Sequence, residues 1–422
     1  MTYEAFERRR WLLFAIVSAL FFHITASTFT SLGVVFVFMV QELSWNFTEA
    51  GFGFTLLSVL VGLSGTVPAW TLRKIGIKAT FGVGGALMAL AFGLLATTTG
   101  LYQYLVGASI LGVGYTMCAA VPGLHILNNW LPDKREFAIG TYMTIGGLGG
   151  VAGPLLVTTI VDLTGSWRIH WWAMAISIVL LTIIAVIFVT SEPDESIKVK
   201  KETKTQQARR LEKVYVTENN WAYRDALRVP QYYIIVAAMT MVLFCEVSIN
   251  SWEPTHLAAL GYTAGMAAAA LSAHQAVNAV SRGLGGMLSN QIDPKWLLVS
   301  ALVVEIIGMW ALAIASNQFV IAIFVFGAGY GFGMCLFSTA ILLINYFGPK
   351  NNPEIFGMMQ VFTSVAAAAP VLSGMIGDRV GSFAIVFQIY SVVLVFILIV
   401  VIIMRPPVKT GSPEMEINHQ NN

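Results

Sequence analysis

Charge is what this chain has least of. Asp, Glu, Lys and Arg make up 11% of its 422 residues against 57% hydrophobic, where soluble domains carry about 25% charge. A soluble fold is therefore excluded. Cysteine is almost as scarce: Cys118, Cys245 and Cys335 all fall within apolar runs, so free thiols packed in helices are expected and a disulfide framework is not. No phosphate-binding glycine loop, cofactor fingerprint, metal-spaced cluster or nucleophile elbow occurs, and the short loops leave no catalytic domain. The reading is a non-enzyme with no cofactor and no metal. The net charge is only +2, with the basic residues dispersed through loops, which argues against nucleic acid. A receptor or signalling protein would need a larger soluble part than the 18-residue tail from Arg405.

What fills the chain instead is long apolar runs of membrane-spanning length, about 20 residues each. Twelve are expected, at roughly 11–40, 51–72, 79–98, 101–130, 136–161, 171–190, 231–256, 263–288, 296–315, 318–347, 354–376 and 382–404. The fold class expected is an all-α membrane protein. Its parts are an N-terminal six-helix bundle over 1–190, a cytoplasmic linker over 191–228, a C-terminal six-helix bundle over 229–404 and a cytoplasmic tail over 405–422. Placing both termini in the cytoplasm puts 21 Lys and Arg on that side and only Arg168 and Arg379 outside, as the positive-inside rule requires. The Arg8–Arg10 cluster precedes an apolar run too long for a cleaved signal, so an uncleaved first helix is expected. By composition the location is a cell inner (plasma) membrane.

The two halves repeat each other. Gly112-Val-Gly-Tyr115 is answered by Gly327-Ala-Gly-Tyr330, and Asn129-Trp130 by Asn345-Tyr346. Gly140 precedes Pro154 by fourteen positions, and Gly357 precedes Pro370 by thirteen. Parallel repeats of six helices are a transporter architecture that holds substrate at the midplane between the halves. This series of matches resembles the major facilitator superfamily, and 286–295 resembles its short cytoplasmic motif, with Asn290 where an aspartate is usual.

Arg282 is the one charge in the apolar stretch 264–288. A cation near mid-membrane costs several kcal/mol and marks a functional site by default. Asn278 and His274 precede it at four-residue steps, which stacks the three on one helix face. A guanidinium offers a planar fork that suits a carboxylate, so Arg282 is read as the anchor for an anionic substrate, or else as half of an ion pair with an acid on another helix. Asn278 is read as a second donor. Ser31 to Val40 running into Ser44-Trp-Asn-Phe-Thr-Glu-Ala-Gly51, Asn278-Ala-Val-Ser-Arg282-Gly, and the Lys134-Arg135 loop after the glycine-rich fourth helix resemble the monocarboxylate transporter branch, including the bacterial oxalate–formate antiporter relatives. That resemblance implies a substrate-binding role for Arg282. It also exposes a departure: the oxalate-exchanging relatives carry a lysine in helix eleven, and 355–370 has no cation. One fixed positive charge favours a monoanion of the lactate, pyruvate, acetate or formate type.

The expected function is thus a proton-coupled monocarboxylate symporter working by alternating access as a functional monomer. The alternatives are an organic-anion exchanger of the oxalate–formate type or a carrier of a non-acid solute. Buried acids mark proton paths in membrane carriers, so Glu253 and Glu246 are proton-coupling candidates, with Glu305 a weaker one; His274 and His23 are proton-coupling candidates too, and either, once protonated, would supply a second positive charge. Tyr115, Tyr142, Tyr330, Phe332, Phe337 and Phe362 are candidates to line the substrate cavity.

Overall fold

The computed structural model describes residues 3–131, 134–190, 214–217, 220–289, 291–348 and 351–408. Most of the expected linker and tail, and Asn290 of the short loop motif, lie outside the described residues. Every regular element among those described is a helix, as a bilayer demands of any segment that must satisfy its own backbone. Ten stretches are long and apolar enough to cross a membrane. One of them, Phe47–Ala96, runs for 50 residues and makes two crossings. The 25-residue helix Ala264–Leu288 is a further crossing, its apolar run interrupted by a polar face. The twelve expected crossings are therefore present as two six-helix bundles.

The first bundle comprises α1 (Tyr3–Ala26), α2 (Phe29–Leu43), α3 (Phe47–Leu63), α4 (Val67–Ala96), α5 (Leu101–Cys118), α6 (Ala120–Trp130), α7 (Arg135–Thr164) and α8 (Trp167–Phe188). After a short α9 (Tyr223–Ala226), the second comprises α10 (Pro230–Ala259), α11 (Ala264–Leu288), α12 (Pro294–Ile314), α13 (Gln318–Phe347), α14 (Asn352–Thr363), α15 (Ala369–Val380) and α16 (Ala384–Ile403).

Four crossings are broken among the described residues, each for a local reason; the second passes through a tight turn of helix at Ser64–Thr66 before Pro68. The first splits at Ser27–Thr28, where Thr28 leaves helical geometry. The Ser27 and Thr28 hydroxyls donate to the carbonyls of His23 and Ile24 at 2.8 and 2.9 Å, and Ser31 donates to Ala26 at 2.6 Å. Side chains thus cover carbonyls that a break in lipid would leave bare. The fourth crossing breaks at Ala119, three residues before Pro122, which has no amide proton to continue the ladder. The eleventh passes through a tight turn of helix at Ser364–Ala368 before Pro370. Where the sequence suggested a loop between the second and third crossings, only Gly76 departs from the helix, at φ +79 and ψ 174, a conformation open to glycine alone.

Among the described residues the bundles meet chiefly where α2 packs on α10, α3 on α15, and α7 on α11, with α2 also touching α11. Glycine makes the approach possible. A Cβ on Gly33 would sit 1.7 Å from the Asn250 carbonyl oxygen, and one on Gly374 would sit 2.6 Å from that of Phe47. The hydrogen bonds and ring pairs seen between the bundles cluster at the end remote from the chain termini, here called the distal end. Phe47 packs on Phe383 at 4.9 Å and on Trp252 at 5.6 Å, and Phe36 packs on Trp252 at 5.6 Å; Trp252 is fixed within its own bundle by donating its indole N–H to the Pro370 carbonyl at 2.9 Å. The Asp378 carboxylate of α15 accepts from the Phe47 and Thr48 amides at 2.8 and 2.9 Å and from the Thr48 hydroxyl. An acid of one bundle therefore caps the N-terminus of a helix in the other.

Candidate substrate site between the bundles

The alanine-rich run of α11 makes a stable helix, and Thr263 caps it by accepting from the Met266 amide at 3.2 Å. Four-residue spacing then delivers His274, Asn278 and Arg282 on one face. His274 and Asn278 are buried, while Arg282 is exposed. At about 1.5 Å per residue, Arg282 lies nearer the terminal end of α11, on the open side of the distal seal.

Its surroundings hold it without neutralising it. The Arg282 Nε donates to Asn278 Oδ1 at 2.9 Å, and its guanidinium carbon lies 5.5 Å from the centre of the Phe332 ring. Among the described residues its terminal nitrogens make no hydrogen bond and no ion pair. The ion-paired alternative raised by the sequence is not what is seen. The exposed Arg282 charge is within electrostatic range of Tyr115 in the other bundle and of Glu246 on α10, so it lies at the junction of the two bundles. Tyr115 packs its ring edge on Phe29 at 5.7 Å, and its hydroxyl has no hydrogen-bond partner among the described residues.

Behind Arg282 runs a chain of amides. Asn278 Nδ2 donates to Gln275 Oε1 at 3.1 Å; Gln275 Nε2 donates to Glu246 Oε1 at 2.9 Å and to Asn250 Oδ1 at 3.0 Å. Asn250 Nδ2 returns to Glu246 Oε1 at 2.9 Å, and His274 Nε2 lies 2.9 Å from Glu246 Oε2. Glu246 is thus held by three side chains and joined to Arg282 through two. The network also lies against the bundle interface: Gly150 of α7 faces Gln275, and Gly33 of α2 abuts the Asn250 backbone.

The other expected residues fall elsewhere. Glu253 is fully buried on α10, with no hydrogen-bond partner for either carboxyl oxygen among the described residues, and it takes no part in the network. Glu305 on α12 is buried against Gly331 and is likewise unpartnered, within electrostatic range of Glu246. His23 bonds Ser177 at 2.7 Å inside the first bundle and does not join Arg282. Tyr142 is buried against Phe21 at 4.7 Å and donates to the Ala119 carbonyl. Tyr330 turns towards α12, bonding Ser300 at 2.8 Å and stacking on Phe326. Phe337 fills the space beside Gly285, and Phe362 packs on Tyr232 and Tyr233. Of the cavity-lining candidates, Phe332 and Tyr115 are the ones brought to Arg282.

Gln275, Asn250 and Asp378 were not anticipated. Gln275 is three residues before Asn278 and Asn250 four after Glu246, so helix spacing could have found both. Asp378-Arg-Val-Gly381-Ser ends α15 as Asp162-Leu-Thr-Gly165-Ser ends α7, each with a left-handed glycine at φ +71 and +70; that repeat was the available signal for Asp378.

Two pseudo-equivalent six-helix bundles around a polar gap define a polytopic membrane transporter. The Major Facilitator Superfamily profile matches residues 16–369 and 258–418, and the chain belongs to that superfamily. It is 23% identical over 381 residues to the Uncharacterized MFS-type transporter YhjX of Escherichia coli (strain K12), covering 85% of this chain and 86% of that one. It is 23% identical over 344 residues to the Oxalate:formate antiporter of Oxalobacter formigenes, covering 78% and 75%. Among solved structures, a bacterial homolog of the human lysosomal transporter Spinster, inward-facing and unoccupied, superposes with a TM-score of 0.71 at 15% identity, covering 94% of this chain and 95% of that one. The nucleoside transporter NupG superposes at 0.71 and 14% identity, covering 93% and 99%. These structural likenesses bear on the fold.

Proposed function

We propose that the protein is a secondary transporter of small monocarboxylates, coupled to protons. The observation that carries this reading is the exposed Arg282 guanidinium, oriented through Nε by Asn278 while its terminal nitrogens have no partner among the described residues. A fork so presented suits a carboxylate with two parallel hydrogen bonds, and the lack of a Lys or Arg over 355–370 favours a monoanion. Tyr115 supplies a hydroxyl from the opposite bundle. The similarity to an oxalate:formate antiporter supports an organic anion as cargo.

In this mechanism the carboxylate binds Arg282 and a proton binds the Glu246–His274 pair, so the loaded site crosses without net charge beyond that of the empty carrier. Once Glu246 is protonated, its hold on Gln275 weakens, and Gln275 contacts the helix of the other bundle. The bundles then rock about the loaded site. With both termini cytoplasmic in a cell inner membrane, the distal end, where Asp378 holds Phe47 and Thr48, faces outward. The working unit is one chain, its two bundles joined by the polar linker of 191–228.

The test is uptake of labelled lactate, pyruvate, acetate and formate into liposomes holding the purified protein, with and without an imposed pH gradient. Accumulation of a monoanion driven by the gradient is expected. Uptake of a neutral sugar with no acid transported would remove the reading. The similarity to the antiporter favours exchange as the second reading, and counterflow against preloaded formate without any effect of pH would select it.

A further inference from the structure

Apart from the central gap, the first bundle holds a groove of about 510 Å³ lined by Arg8, Arg9, Leu12, Leu13, Ile187 and Phe188. It lies where α1 enters its membrane-spanning stretch at Phe6 and α8 leaves its own at Phe188, so its cationic rim is level with lipid headgroups and its floor with acyl chains. The floor is apolar and open: Leu12, Ile187 and Phe188 are 47%, 59% and 48% exposed.

The rim is built on one side and free on the other. Arg9 is held over the Trp130 ring at 5.5 Å and reaches the Thr190 hydroxyl at 3.4 Å. Trp130 is itself fixed by donating to the Thr190 carbonyl at 2.9 Å. Arg8 is exposed and has no hydrogen-bond or ion-pair partner among the described residues. Lys78 donates to the Ile187 carbonyl at 3.2 Å, which brings a third cation to the backbone of a lining residue. Among the described residues nothing acidic lines it.

We infer that this groove binds one anionic phospholipid, its phosphate on Arg8 and Arg9 and its acyl chains along Leu12, Ile187 and Phe188. Two clustered arginines at the membrane surface attract an anionic headgroup, guanidinium forks match phosphate oxygens, and the exposed apolar floor gives the chains a surface that a soluble anion would not use. Because the groove spans α1 and α8, an occupied site ties together the first and last crossings of the bundle.

The experiment is native mass spectrometry of the full-length protein, delipidated and titrated separately with phosphatidylglycerol and phosphatidylcholine. One phosphatidylglycerol should be retained in preference to phosphatidylcholine. Arg8→Ala should reduce its occupancy about fivefold, the effect of one interfacial cation, with the detergent melting temperature unchanged because Arg8 supports nothing else. Millimolar inorganic phosphate should not displace the lipid. Equal retention of the two lipids, occupancy unchanged in Arg8→Ala, or displacement by phosphate would each overturn the assignment, the last by making the groove a small-anion site.

Discussion

Glu246 and Arg282 sit on adjacent helices without touching, yet Gln275 and Asn278 join them through hydrogen bonds of 2.9, 3.1 and 2.9 Å. A direct ion pair would have neutralised both groups and closed the site. Interposed amides orient each group while leaving its charge available.

Arg282→Lys tests the anchor. An ammonium keeps the charge and loses the planar fork, and a charged hydrogen bond contributes about 1.5–3 kcal/mol. Substrate affinity should fall at least about tenfold, read by binding calorimetry or the half-saturation of uptake. Unchanged affinity would take the guanidinium out of the site.

Gln275→Leu removes the link between proton and substrate groups while both remain. The expected outcome is retained exchange of labelled for unlabelled carboxylate, with accumulation driven by a pH gradient reduced at least about fivefold, the effect of losing one hydrogen bond of about 1 kcal/mol in the coupling. Glu246→Gln should abolish that accumulation, because an amide keeps the contact geometry and cannot carry the proton. In the native protein, accumulation should increase as the medium is acidified on the side from which substrate enters. If Gln275→Leu and Glu246→Gln both accumulate substrate like the native protein, coupling does not run through this chain.

Asp378→Ala removes a helix cap that crosses the bundle interface. Caps and dipole partners contribute about 1–2 kcal/mol, so the equilibrium should move towards a distally open state by roughly fivefold to thirtyfold. Spin labels at Ser44 and Arg379 would report this as a longer distance population. A distribution identical to the native protein would mean that the contact does not hold the distal end.

Gly33→Val tests the same closure by packing rather than charge. A Cβ there overlaps the Asn250 carbonyl, so α2 and α10 cannot meet. The variant should bind substrate at equilibrium but transport it at least about tenfold more slowly, since rigid interfaces switch between discrete packings. Native transport rates would show that the two helices do not need this approach.

The membrane class, the twelve crossings and the internal repeat follow from local properties: run lengths, glycine and proline positions, and matched motifs along the chain. The polar face of α11 was legible for the same reason, since helix periodicity places 274, 278 and 282 together wherever the helix goes. Glu246 and Glu253 could not be ranked that way. Both are acids on α10, and what separates them is that Glu246 bonds side chains of α11 while Glu253 has no hydrogen-bond partner among the described residues.

Tyr115 and Tyr330 make the limit plainest. They close equivalent motifs in the two repeats, and from the sequence they are interchangeable. The packing sets Tyr115 beside the gap and turns Tyr330 onto Ser300. Periodicity dictated that each helix would exist and which residues would share a face. Which face met water, lipid or another helix was decided by how the two bundles pack, because that choice depends on contacts between residues far apart in the chain.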